Sequence, residues 1–304
     1  MQPSKSLITR MTGTSPVTKA YVALLLTMIT WGLVPVFLKQ LLAVLSPTEL
    51  SFIRFFFAGA VMLVWILPGQ YQEVFNLFRE DWRLMLLCTL FGPLMAMVCF
   101  NFGLNKLTVG TAAVFTAIEP VCTYLFAVLL GQERWKAGRM ASILVALTGI
   151  VLVILSRESF GVGYWLSLLL VTLSPIIWAA NNIITKELAK RHAAMVMVAV
   201  SFFLSSLLLL PTLSADLPAK LANMPPALWL ILGYTVLCNI FGFTLWYWSL
   251  KHLPSSTVAL SLYLLPVLSV AAGILLLGES LSFLKGIGIL TVMLGLYLTN
   301  VRFR

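Results

Sequence analysis

The sequence predicts an all-α integral membrane protein of ten transmembrane helices, arranged as two inverted five-helix repeats. Three observations predict this fold: the composition, a series of apolar stretches of membrane-spanning length, and an internal similarity at a nearly fixed offset. Of the 304 residues, 61% are hydrophobic and only 10% are charged. So few polar residues cannot cover the surface of a water-soluble protein. The chain is therefore expected to lie in a lipid bilayer.

Ten apolar stretches are separated by short polar connections. A helix needs about 20 mostly apolar residues to cross the hydrocarbon layer. The predicted helices cover residues 20–43, 48–68, 83–104, 108–130, 137–156, 163–187, 193–211, 227–250, 255–277 and 283–301. The longest polar connections surround Asp81 and Asp216 and are too short for a soluble domain. The first stretch is too long for a secretory signal and is expected to be retained.

The distribution of basic residues predicts the orientation. A net charge of +10 would suggest nucleic-acid binding in a soluble chain, but here the charge follows the membrane topology. Segments on the same side as the N-terminus contain fourteen Lys and Arg residues: Lys5, Arg10, Lys19, Arg79, Arg83, Arg134, Lys136, Arg139, Lys186, Lys190, Arg191, Lys251, Arg302 and Arg304. The opposite side contains five: Lys39, Lys106, Arg157, Lys220 and Lys285. Because cytoplasmic loops retain positive charge, both termini are predicted to be cytoplasmic.

The chain repeats itself after an offset of 146 or 147 residues. The coinciding residues include types that are uncommon in apolar helices: Trp31 with Trp178, Pro120 with Pro266, Glu133 with Glu279, and Gly149 with Gly295. The predicted halves are residues 1–157 and 158–304. Since five is an odd number, the second half must enter the membrane from the opposite side. Inverted repeats of this kind permit an inward-open and an outward-open state, which is the basis of alternating access.

Several local motifs add to this pattern. They are the Trp31-Gly32 and Arg54-Phe55 pairs, the mid-helix prolines Pro120 and Pro266, and the acidic helix ends at Glu133 and Glu279, which precede helices containing Gly149 and Gly295. With these features the chain resembles the drug/metabolite transporter superfamily, specifically its ten-helix EamA-type branch. The resemblance covers nearly the whole chain and implies two repeats around a central cavity. Gln132, between Gly131 and Glu133, departs slightly from the pattern.

Glu119 is the candidate for the central chemistry. It is the only acidic residue near the middle of a predicted helix, where an unpaired carboxylate costs at least a few kcal/mol. When the cavity opens to one side and then to the other, Glu119 could bind a proton and then release it, which would suit proton coupling. Its carboxylate would also suit recognition of a cationic group on a substrate. The alternative is a permanently protonated structural carboxyl. Its repeat mate is Leu265, so the symmetry is broken here.

Other candidates are aromatic and amide residues at helical spacing on several helices. The predicted substrate-binding residues are Trp31, Phe100, Asn101, Phe115, Glu119, Trp178, Asn181, Tyr247 and Tyr263. Aromatic faces suit apolar bodies and cations alike. Pro120 and Pro266 are expected to interrupt their helices and to free carbonyls near the cavity. Asn182 is interpreted as a helix-to-helix hydrogen-bonding residue, and Glu133 and Glu279 as structural or gating residues.

Arg54 lies about one turn into the second predicted helix. Its position favours a side chain that extends to the lipid headgroups, with a role toward an anionic ligand as the alternative. The four cysteines lack the spacing of a metal site or a disulfide framework, so no metal and no cofactor are expected.

The resemblance implies a secondary transporter, not an enzyme, that moves a small metabolite such as an amino acid outward across a bacterial inner membrane. The expected partners are the substrate, the lipid bilayer and protons exchanged through Glu119, without nucleic acid, in a monomer or weak dimer. No Walker-type loop supplies ATP binding. The alternatives are an uptake permease, an uncoupled facilitator, or an intramembrane enzyme acting on lipid-linked substrate. Such an enzyme would need clustered carboxylates with a metal, or a His with acidic partners. His192 and His252 lie in predicted loops, and no such cluster is expected near either of them.

Overall fold

Ten helical segments account for nearly all of the chain that is described, which comprises residues 16–132, 134–155 and 163–301 of a computed structural model. The first five are α1 (Pro16–Leu41), α2 (Pro47–Glu80), α3 (Trp82–Lys106), α4 (Val109–Leu129) and α5 (Ala137–Leu155). The second five are α6 (Tyr164–Ala189), α7 (Ala194–Thr212), α8 (Pro226–His252), α9 (Ser255–Leu277) and α10 (Phe283–Val301). Glu133 and the side chain of Tyr263 lie outside the described residues.

Eight of these segments are long and apolar enough to cross a membrane. The other two, α5 and α10, are 19 residues each, or about 28 Å at 1.5 Å per residue. Large hydrophobic side chains such as Trp65, Leu230 and Leu275 are exposed on the outside of the bundle, where lipid is the compatible solvent. The predicted all-α membrane fold is confirmed.

The predicted end of α2 at residue 68 was wrong. Pro68 and Gly69 suggested a boundary, but the helix continues to Glu80 after a kink, with non-helical torsions at Gln70 (φ −134°, ψ 24°). Proline cannot donate to the preceding turn, which explains a kink without requiring the helix to end. Residues 69–80 therefore extend the helix into a region predicted to be a polar connection.

The packing of α5 on α10 reflects the internal repeat. A Cβ added to Gly149 would lie 2.5 Å from the carbonyl oxygen of Gly288 and 2.5 Å from the backbone nitrogen of Val292. Gly295 makes the same close approach to Ser142 and Ala146 of α5. The contacts of Gly295 are those of Gly149 with every residue number shifted by 146. The two glycines therefore occupy equivalent positions in the two halves. Small residues at both positions let the helix backbones touch.

The helices that surround the centre are interrupted at matching places. α3 contains π-helical turns over Leu90–Met97 and α8 contains them over Cys238–Gly242. α4 is broken between Phe115 and Ile118, three to four residues before Pro120, and α9 has a 3₁₀ turn over Ser261–Tyr263, before Pro266. Because Pro120 has no N–H, the Thr116 carbonyl instead accepts from the backbone of Glu119 at 3.1 Å. Pro120 and Pro266 were predicted to interrupt their helices. Each helix is interrupted about one turn before its proline.

Polar side chains join the turns at each end of the bundle. At the α2–α3 turn, Asp81 accepts from Arg191 at 2.6 Å and contacts His192 Nε2 at 3.0 Å, while His192 Nδ1 lies 3.4 Å from Glu73. The expectation that His192 has no acidic neighbours was therefore wrong, because its partner Asp81 is 111 residues away in sequence. His192 and Asp81 are almost fully buried and join the α2–α3 and α6–α7 turns.

The opposite end has comparable connections. Glu49 at the start of α2 accepts from Ser214 and from Lys220 Nζ at 3.0 Å. Glu279 accepts the backbone N–H groups of Val109 at 2.6 Å and Gly110 at 3.1 Å. A carboxylate at this place satisfies free donors at the start of α4 and interacts favourably with the helix dipole. The structural role expected of Glu279 is therefore a cap on α4.

Candidate functional site

A cavity of about 150 Å³ lies at the centre of the bundle and is lined by residues from seven helices. The lining residues are Trp31, Val34, Pro35, Leu38, Arg54, Ala96, Met97, Phe100, Asn101, Thr116, Glu119, Ser174, Pro175, Trp178, Cys238, Asn239, Phe243, Leu262 and Leu265. Both halves contribute, and the interrupted parts of α3, α4, α8 and α9 all reach the lining. The cavity is thus built where the backbone departs from regular helix, as expected for substrate sites in repeat-built carriers.

Aromatic rings form most of one wall. The Trp31 and Phe243 ring centroids are 4.5 Å apart, and those of Trp178 and Phe243 are 5.3 Å apart. Trp246 is buried behind this wall, with its ring centroid 5.6 Å from that of Trp31. Trp31 Nε1 donates to the Cys238 carbonyl at 3.2 Å, so this indole is oriented by backbone that the π-helical part of α8 exposes. The wall offers flat apolar surface with few free polar groups.

Glu119 is held in the cavity wall by a chain of hydrogen bonds. Its Oε1 accepts from Asn182 Nδ2 at 2.8 Å, and Asn182 Oδ1 accepts from Trp246 Nε1 at 3.2 Å. Glu119 is 6% exposed and Asn182 and Trp246 are fully buried. Asn182 therefore joins α6 to both α4 and α8, which is the helix-to-helix role expected of it. Among the described residues, no cation pairs with Glu119.

Arg54 does not extend to the headgroups, so that expectation was wrong. The side chain is only 2% exposed, lines the cavity, and donates from Nη2 to Asn239 Oδ1 at 2.8 Å. Its partner is 185 residues away in sequence, so the position of Arg54 near the start of a helix could not reveal the contact.

The structure brings together five of the predicted site residues: Trp31, Phe100, Asn101, Glu119 and Trp178 line the cavity. Phe115, Asn181 and Tyr247 are buried beside it and do not reach the lining. Phe115 precedes the break in α4, so regular helical spacing no longer places it on the face of Glu119. Asn181 lies against Gly92, and the Tyr247 hydroxyl lies 3.7 Å from Cys88 Sγ. Pro120 and Pro266 are buried behind the interruptions.

Sequence reasoning missed Asn239 entirely. It lies in the π-helical part of α8, where a widened turn carries its side chain to the cavity. A polar amide within an apolar helix was the available signal. Within the described residues, no group of three or more His, Cys, Asp or Glu side chains is placed to hold a metal ion.

The ten apolar helical segments, five in each half of the chain, form a bundle whose central cavity is lined by residues of both halves. This arrangement is typical of a helical membrane carrier. The sequence model of the EamA-like transporter family matches this chain twice, over residues 18–155 and 165–301. The chain belongs to the EamA-like transporter family, which confirms the resemblance seen in its motifs. It is a multi-pass transporter of the cell inner membrane.

Curated relatives are similar over nearly their whole length. An uncharacterized transporter of Archaeoglobus fulgidus is 23% identical over 93% of this chain and 98% of its own. A probable amino-acid metabolite efflux pump of Escherichia coli K12 is 27% identical, covering 90% of this chain and 92% of its own. A probable terminal-alkyne amino-acid exporter of Streptantibioticus cattleyicolor is 25% identical, covering 86% of each.

A solved crystal structure shares the fold. It superimposes with a TM-score of 0.66 and 18% sequence identity, covering 94% of this chain and 96% of that chain. At this identity the likeness concerns the architecture alone.

Proposed function

We propose that this protein exports a small metabolite, an amino acid or a related compound, by alternating access, and that Glu119 couples export to inward movement of protons. Transport itself follows from the family; the substrate class, direction and coupling are the proposal. The names of two relatives, an amino-acid metabolite efflux pump and an amino-acid exporter, support the substrate class and direction.

The observation that carries the coupling is the placement of Glu119. Its carboxyl group lies in the cavity wall, with Asn182 as its hydrogen-bond donor, and no Lys, Arg or His of the described chain forms an ion pair with it. A carboxyl group in this environment is neutral or charged depending on which solution the cavity meets. If the substrate and the proton bind to Glu119 alternately, the outward release of the substrate is accompanied by the inward movement of a proton.

The symmetry of the scaffold supports alternating access. Each half can take the conformation of the other, so the cavity can open to either side by rocking of the halves. The competing proposal is a facilitator of the same fold that is not coupled to protons. The hydrogen bond from Asn182 favours this alternative if it holds Glu119 permanently in a structural role.

Proteoliposomes with an imposed pH gradient test the coupling. Vesicles that are acidic inside should accumulate amino acid faster than vesicles at equal pH, because outward protons exchange for inward substrate. Glu119→Gln should transport at a rate that no longer depends on the gradient, while the exposed helix-end substitution Glu80→Gln should behave as the wild type.

Unchanged gradient dependence in Glu119→Gln would refute coupling through this residue and favour a facilitator or another proton site. For direction, cells that express the protein should hold less of the amino acid than cells with an empty vector. Greater accumulation would identify an uptake permease instead.

A further inference from the structure

Arg54 and Asn239 together present several hydrogen-bond donors at the wall of the central cavity. Arg54 Nε and Nη1 and Asn239 Nδ2 are buried, and none has a partner among the described residues. The two side chains are 2% and 1% exposed, and their single mutual bond uses Arg54 Nη2 and Asn239 Oδ1. Both residues line the central cavity. We call this pair the donor cluster.

The positive charge of the donor cluster indicates which kind of ligand group it would bind. A guanidinium group stays protonated in proteins and can only donate hydrogen bonds. Burying such a cation without an opposite charge costs several kcal/mol, and no carboxylate is paired with Arg54 in the described part of the chain. A planar carboxylate would supply both the negative charge and the acceptors that the fork of Arg54 matches.

Acceptors are found elsewhere in the same lining. Asn101 donates from Nδ2 to Ser51 Oγ at 2.8 Å, which leaves its buried Oδ1 without a partner among the described residues. The Glu119 carboxyl group is the second acceptor. Together, Asn101 and Glu119 form an acceptor pair suited to an ammonium group, and the aromatic wall of Trp31, Trp178 and Phe243 suits an apolar body.

We propose that the donor cluster binds the carboxylate of the transported substrate, and that the acceptor pair binds its ammonium group. The substrate class is thereby α-amino acids with an apolar side chain. This inference rests on the proposed function and deepens it. The protein could still transport other solutes even if no substrate carboxylate binds at Arg54.

The test compares three probes of equal carbon skeleton. L-phenylalanine has both charged groups, L-phenylalaninamide lacks the carboxylate, and 3-phenylpropionate lacks the ammonium group; the corresponding leucine set provides a second skeleton. Affinity is measured by thermal stabilisation of the purified protein, and flux by counterflow in proteoliposomes. The amino acid should bind at least ten times more tightly than its amide, because only the amino acid supplies acceptors to the donor cluster.

Two variants locate the carboxylate. Arg54→Gln should remove the preference for the amino acid over its amide, whereas Arg79→Gln, an exposed position on the same helix, should keep it. Asn239→Asp should pair internally with Arg54, so that the ligand-free protein is more heat-stable while affinity for the amino acid falls at least tenfold. This second variant keeps the test decisive if Arg54→Gln does not fold.

Equal affinity for the amino acid and its amide in the wild type would overturn the inference, as would undiminished amino-acid binding by Asn239→Asp. If neither skeleton binds but counterflow occurs with organic cations or uncharged solutes, transport stands and the carboxylate site is refuted. If no solute of any class is exchanged, the proposed function fails as well.

Discussion

Glu119, Asn182 and Trp246 show how single residues determine the chemistry of this cavity. The carboxyl group, the amide and the indole belong to three different helices and are linked by two hydrogen bonds. A buried polar group that loses its partner costs about 1–3 kcal/mol. The network therefore fixes both the position of Glu119 and the approach of the three helices.

Replacing the central amide tests this network. Asn182→Ala should lower stability by about 1–3 kcal/mol, because it leaves Glu119 and Trp246 without their partner. Trp246→Phe removes only one of the two bonds and should cost less. The thermal midpoint in detergent measures both. An Asn182→Ala protein as stable as the wild type would show that the network holds nothing together.

The sequence predicted the position of Glu119 but not its surroundings. An acidic residue in the middle of an apolar helix is visible to inspection, whereas its donor, Asn182, is 63 residues away. Arg54 shows the opposite case. Its place near a helix end indicated exposure to headgroups, and only the packing of α8 against α2 reveals that the side chain turns inward to Asn239. Long-range pairing of this kind leaves no local signal.

At the scale of helices, the contact between α5 and α10 depends on glycine. Gly149 approaches backbone atoms of α10, which cannot move aside as a flexible side chain could. Gly149→Ala should therefore separate the two helices and cost about 1–3 kcal/mol. Gly295→Ala, the equivalent change in the other half, should cost a similar amount.

A matched control is available in α8. A Cβ at Gly233 would meet nothing within 4 Å, so Gly233→Ala should be neutral or gain up to about 1 kcal/mol through better helix propensity. Thermal unfolding of the three variants distinguishes the effects. If Gly149→Ala and Gly233→Ala behave alike, close backbone packing is not what holds α5 to α10.

Helix positions were largely predictable because hydrophobicity alone marks a membrane span. The predicted and observed limits of α9 and α10 coincide, at residues 255–277 and 283–301. The end of α2 was not predictable, since Pro68 and Gly69 suggest termination and polar residues beyond them remove the apolar signal. The π-helical turns of α3 and α8 also lack a sequence signal, yet one of them delivers Asn239 to the cavity.

For the whole molecule, a symmetric scaffold contains an asymmetric site. Glycines, prolines, helix interruptions and the pair Trp31 and Trp178 recur in both halves, whereas the charged and amide side chains of the cavity do not. At the offsets of 146 and 147 residues, Glu119 corresponds to Leu265, Arg54 to Ser201, and Asn239 to Pro93. Symmetry would let the halves exchange conformations, while the unpaired positions would let one cavity recognise one substrate from either side.

Counterflow tests directly whether this protein carries an amino acid across the membrane by alternating access. Proteoliposomes preloaded with unlabelled L-phenylalanine or L-leucine should take up the labelled amino acid faster than empty vesicles. An alternating-access carrier binds the unlabelled amino acid inside, carries it out, and is then free to bind the labelled one outside. The signal should be absent from vesicles without protein. Binding of the amino acid without accelerated exchange would show that the protein does not transport it, since a receptor or an enzyme would bind its ligand without carrying it across the membrane.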